Sequence, residues 1–162
     1  MVVHPTCKAA MGNLLDLGEF NEGALLHTIR SRFFQRNIYT NIGQPILLAV
    51  NPYQQLTELF TSAIARKFRK VSLDRQKGHL VPDPEPHLFS VAEDAFQNMM
   101  IDKKNQAIII SGESGAGKTE STKIILCYLA QAASGFVRDF DFLNISKLVK
   151  EGEASSVKGI EK

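Results

Sequence analysis

Residues 108–123 read IIISGESGAGKTESTK: three β-favouring isoleucines, then alternating small residues, then a lysine. Gly112, Gly117, Lys118 and Thr119 fit the spacing G-x-x-x-x-G-K-[ST] of a phosphate-binding loop. A triphosphate needs many hydrogen-bond donors at close range with no bulky side chain in the way. Gly112, Gly115 and Gly117 permit positive φ and close approach, so backbone N–H groups of the loop and of the first helical turn can point at the phosphates. Lys118 is expected to reach the β- and γ-phosphate oxygens, and the Thr119 hydroxyl to ligate Mg²⁺. The apolar residues before the loop (107–111) predict a buried strand, and Lys118 to Ala133, with Ile125, Tyr128, Leu129 and Ala132 facing inward, a helix. The order strand, glycine-rich loop, helix predicts an α/β chain.

The preceding sequence supports one globular unit. The 162 residues are 44% hydrophobic and 22% charged, a composition long and apolar enough for a single core. A net charge of +2 gives no reason to expect nucleic acid or an anionic membrane as partner. The longest apolar run, Ile46 to Val50, is too short to cross a bilayer, and the N-terminus lacks the basic and apolar segments of a signal peptide. Cys7 and Cys127 have no metal-ligand spacing and suit reduced thiols in a cytosolic protein. Leu25, Leu26, Ile29 and Phe33 predict a helix starting at Asn21, and ILLAV, 46–50, a strand buried on both faces and ended by Asn51-Pro52. A helix over 57–70 should bury Leu59, Ala63 and Phe68 and leave Arg66, Lys67, Arg69 and Lys70 solvated. After the loop PDPEPH, 82–87, a further helix should bury Leu88, Val91, Ala92, Ala95, Phe96 and Met99. From Ser134 the chain changes to amphipathic and then charged, turn-like sequence, predicting a helical insertion with a mobile tail.

The loop alone leaves the enzyme class open. There is no N-K-x-D guanine-reading word, since DKKN at 102–105 has the wrong order, and Asp139 and Asp141 in VRDFDF make a poor Walker-B strand end. Longer words narrow the choice. PHLFSVAEDAFQNM, 86–99, followed by NQAIIISGESGAGKTESTKIILCYLA, 105–130, resembles the myosin motor head, as do DLGEFNEGALLHTIRSRF, 16–33, and IYTNIGQPILLAVNPY, 38–53. The resemblance covers most of residues 4–130. It implies an incomplete N-terminal part of a P-loop NTPase motor domain carrying part of its central sheet.

By the same resemblance, Gly112, Glu113, Ser114, Gly115, Ala116, Gly117, Lys118 and Thr119 hold the phosphates of ATP, with Thr119 on Mg²⁺. Asn51, Pro52 and Tyr53 open the loop beside the adenine, where the family's later aromatic is matched, one position displaced, by Phe60. Core packing is the competing reading of Tyr53 and Phe60. Residues 1–133 are then the N-terminal part of the motor domain, and 134–162 a variable surface-loop region, partly helical or mobile, that stops before switch I. The implied parent is an ATP-driven motor on actin filaments in the cytoplasmic cytoskeleton. Both switch segments lie beyond these residues, so the 162-residue fragment is expected to bind ATP without hydrolysing it. A P-loop small-molecule kinase and a non-motor nucleotide-binding remnant are the alternatives.

Overall fold

The computed structural model describes residues 10–136 and Phe142. The expectations for Cys7, for the N-terminal leader and for most of the region after Ser134, including Asp139 and Asp141, lie outside the described residues.

Among the described residues, four α-helices and one hairpin carry the fold. Helix α1, Glu22–Phe34, begins where the Asn21 side chain accepts a hydrogen bond from the Ala24 amide at 2.9 Å. Strands β1, Tyr39–Asn41, and β2, Leu47–Ala49, pair antiparallel with Thr40 opposite Leu48. A short 3₁₀ turn, Thr57–Leu59, precedes α2, Ser62–Gln76, which is capped by Thr61. Helix α3, Leu88–Asp102, starts at His87, whose Nδ1 accepts from the Phe89 amide at 3.0 Å. Helix α4 is Lys118–Ala133. Helix α3 lies between α2 and α4, and the core where they meet holds Ala65, Phe68, Phe89, Ala92, Phe96, Ile124, Ile125 and Tyr128. Phe142 packs its ring on Phe89 with centroids 4.8 Å apart.

Several expectations need correction. The segment 107–111 joins no ladder among the described residues; Ile108 and Ile110 turn toward the core while Ile109 is 90% exposed. This alternation is the two-residue period of an extended chain covered on one side only. Strand β2 is likewise half-buried at Leu47 and Leu48 and exposed at Ala49, so it is not enclosed on both faces. The sheet resolved among these residues is the hairpin alone. In α1 the buried stripe is Ala24, Thr28 and Arg32, one residue off the apolar stripe, and Leu26 is exposed.

Polar chemistry explains the α1 shift. The Thr28 hydroxyl donates to the Ala24 carbonyl at 2.9 Å, and the buried Arg32 guanidinium donates to Ala10 O at 2.9 Å, Tyr39 O at 2.9 Å and Thr40 Oγ1 at 3.1 Å. With its donors satisfied, an arginine is tolerated in a core. The helix predicted over 57–70 is split by the 3₁₀ turn, leaving Ala63 exposed and Ala65 buried. Arg69 is not a solvated helix end: it pairs at 2.9 Å with the buried Glu93. Met99 is exposed on α3.

Candidate nucleotide site

The phosphate-loop words fold into a tight turn ahead of α4. Gly112, Gly115 and Gly117 have φ of 153°, 80° and 92°, in the left-handed region that favours glycine. A Cβ at Gly112 would come within 3.1 Å of the Ala116 Cβ, and one at Gly115 within 3.8 Å of the Tyr53 hydroxyl. Gly117 is the N-cap of α4, and no side chain caps that end among the described residues. The first-turn N–H groups of Lys118, Thr119 and Glu120 therefore face outward with the positive end of a 16-residue helix behind them. Lys118 curls back over the loop, its Nζ donating to Gly112 O at 2.7 Å and Glu113 O at 2.8 Å. Glu113, Ser114 and Thr119 are exposed.

A second loop, 51–56, is held against the first. The Asn51 side chain donates from Nδ2 to the Gly115 carbonyl at 2.7 Å, across 64 positions of sequence, while its Oδ1 accepts from the Tyr53 amide at 2.9 Å. Tyr53 itself has φ +51° and is 85% exposed. Between the two loops lies a cavity of about 240 Å³ lined by Asn51, Pro52, Leu56 and Phe60 on one side and Ala116, Gly117 and Ile124 on the other. Phe60 takes part both in this wall and in the core, its ring 5.5 Å from His87 and 6.1 Å from Phe89. All the phosphate-loop residues are thus contiguous, and Asn51, Pro52 and Tyr53 are brought to them from a distant part of the chain.

Sequence reading missed Tyr39, Gln54, Gln55, Glu120 and Ser121, which also line the cavity. Gln54 and Gln55 directly follow the Asn-Pro-Tyr word, and adjacency was the one available signal. Glu120 carries an ion pair with Lys123 at 2.7 Å.

The family profile of the myosin head (motor domain) matches residues 11–151. The chain belongs to the myosin motor-domain family. It is similar to the unconventional myosin heavy chain 6 of Caenorhabditis elegans, 41% identical over 129 residues, which is 80% of this chain and 6% of that protein. It is also similar to myosin-2 of Saccharomyces cerevisiae, 42% identical over 127 residues, or 78% of this chain and 8% of the relative. The high molecular weight form of myosin-1 of Acanthamoeba castellanii is 40% identical over 125 residues, covering 76% and 7%. The chain spans 6–8% of the length of these myosins. No helix among the described residues is long and apolar enough to cross a membrane.

Proposed function

We propose that this chain is the nucleotide-holding part of an actin-based motor, with a P-loop NTPase fold, and that its ligand is Mg·ATP. The observation that carries the reading is the 2.7 Å bond from Asn51 to Gly115, which closes a base-sized cavity directly against the phosphate loop. Gly112 to Gly117 shape the anion cradle, and the uncapped start of α4 adds donors and a favourable dipole. Lys118 would exchange its two backbone carbonyl partners for charged phosphate oxygens, a bond class worth about 1.5–3 kcal/mol each. Asn51, Pro52, Tyr53 and Phe60 would flank the adenine.

These residues fit the metal that accompanies such a ligand. No group of three or more His, Cys, Asp or Glu side chains among the described residues could form a protein cage, whereas Mg²⁺ commonly rests on one hydroxyl or carboxylate plus phosphate oxygens and water. Thr119 would be that hydroxyl. The metal, when bound, would neutralise charge on the phosphates.

Holding is distinct from cleaving. A group that binds substrate and transition state equally well does not speed the reaction, and Lys118 and Thr119 hold both. Positioning water and offsetting charge late in the reaction fall to segments beyond these residues. In the full-length protein, turnover would be coupled to movement on actin filaments in the cytoplasmic cytoskeleton. The test is Lys118→Ala in that protein: ATP affinity is expected to fall by about tenfold or more, the equivalent of losing one charge-assisted bond. Unchanged affinity and turnover would overturn the assignment. The companion Thr119→Ala should shift the Mg²⁺ dependence of turnover more than the affinity for metal-free ATP.

A further inference from the structure

Behind the cavity, in the core, lies a carboxylate that the binding chemistry does not use. Glu93 on α3 is 2% exposed. Its Oε2 accepts from the Tyr128 hydroxyl of α4 at 2.9 Å, and its Oε1 from Arg69 Nη1 of α2 at 2.9 Å and from Gln97 Nε2 of its own helix. The Gln97 amide oxygen accepts in turn from Gln76 Nε2 at the end of α2. Tyr128 is fully buried, and its hydroxyl also lies 3.5 Å from the Ala65 carbonyl of α2. One carboxylate thus ties together three helices.

Stability is a weak reason for this arrangement. Burial pushes the Glu93 carboxyl up, with Tyr128, Arg69, Gln97 and Ser72 acting against it. A buried ion pair is commonly no more stabilising than apolar residues of the same volume, although it restricts how the surrounding elements can pack. What is restricted here is specific. Helix α2 is capped by Thr61, one residue after Phe60 in the cavity wall, and α4 has Gly117 of the phosphate loop at its N-cap. At 1.5 Å per residue, Arg69 sits roughly 12 Å behind the first loop and Tyr128 roughly 16 Å behind the second.

We propose that Glu93 is a positioning residue which, through Arg69 and Tyr128, fixes the helix behind the base-side loop relative to the helix behind the phosphate loop, so that the two halves of the cavity meet one ligand together. This rests on the nucleotide reading above and adds a residue to it. A ligand that spans both loops depends on their separation. One that touches the phosphate loop alone does not.

The experiment compares Mg·ATP with magnesium tripolyphosphate, by calorimetry, on the full-length protein and its Glu93→Leu variant below the melting temperature of both. The variant is expected to fold, to lose about tenfold or more in ATP affinity, and to hold tripolyphosphate within about twofold of wild type. Equal loss of both ligands, or no loss of either in a folded variant, overturns the proposal. Should Glu93→Leu fail to fold, Tyr128→Phe removes only one hydroxyl and is read by the same ratio. If wild type binds tripolyphosphate and ATP and only the ratio fails to move, the brace alone is wrong. If wild type binds neither, the nucleotide reading falls and the brace with it.

Discussion

Replacing Asn51 separates a joint between two loops from an ordinary turn residue. Its side chain makes two hydrogen bonds with different purposes: Oδ1 accepts from the Tyr53 amide and shapes its own loop, while Nδ2 reaches Gly115 and shapes the other. Asn51→Ala removes both, and at about 0.5–1.5 kcal/mol net for each bond the loss is about 1–3 kcal/mol. If half of that is felt by a ligand between the loops, ATP affinity falls by about twofold to thirteenfold. Asn51→Asp is more telling. Aspartate keeps the acceptor for the Tyr53 amide but sets an anionic oxygen against the Gly115 carbonyl, beside the proposed phosphate position. A joint therefore predicts the affinity order Asn, then Ala, then Asp, whereas a turn residue predicts Asn, then Asp, then Ala. Equilibrium titration of the full-length variants with a fluorescent ATP analogue reads the order. An aspartate variant that binds at least as well as alanine, or an alanine variant equal to wild type, would refute the reasoning.

Two further outcomes follow from burial. Burial in a cage of Tyr39, Phe60, Phe68 and Phe89 lowers His87 from its ordinary 6.5 to about 4, with a backbone contact at Leu59 opposing the drop. Below 6.5 the unfolded chain takes up a proton that the folded chain refuses until about 4, so stability falls as pH falls through this window, by up to about 3 kcal/mol. The protection of the α3 amides, taken relative to their intrinsic exchange rate at each pH, should fall across that range in wild type and much less in His87→Asn, which keeps an N-cap acceptor without the titration; parallel protection profiles would contradict this. Residues 1–162 expressed alone should self-associate through exposed Ile109, Met99 and Leu126 beside the unpaired segment 107–111, and Ile109→Lys should reduce light scattering. A monodisperse wild-type monomer with a cooperative melt would count against it.

The parts of the fold legible in the sequence are those set by local chemistry. Asn21 announces its helix through a side chain that caps three residues on, and Gly112, Gly115 and Gly117 announce a turn that needs positive φ. Helices α3 and α4 follow from apolar periodicity. What could not be read depends on partners distant in sequence. Arg69 looks like one more surface cation among Arg66, Lys67 and Lys70 until Glu93 is placed opposite it, 24 positions away. Arg32 looks solvated until its acceptors arrive from three other segments. The isoleucines of 107–111 promise a buried strand, but burial of a strand depends on neighbours, and no described residue supplies a ladder. At the site, the eight-residue loop word was readable, and so was the nearness of Asn51 by resemblance. That Asn51 hydrogen-bonds the loop itself was not, because no local pattern encodes a bond across 64 positions.

Arg32 also bears on the order in which the chain assembles. Its guanidinium gathers the carbonyl of Ala10, 22 residues before it, the backbone and hydroxyl of β1, and the Glu85 carboxylate, 53 residues after it. The β1 acceptors lie within eight residues, but those of Ala10 and Glu85 are not in place until the chain on either side has closed, and loop closure costs entropy before any contact compensates it. Until then the charge is better left in water. The Arg32 hub should accordingly form late, after α3 and its preceding prolines have docked, and mutations there should mainly speed unfolding while leaving the folding rate nearly unchanged.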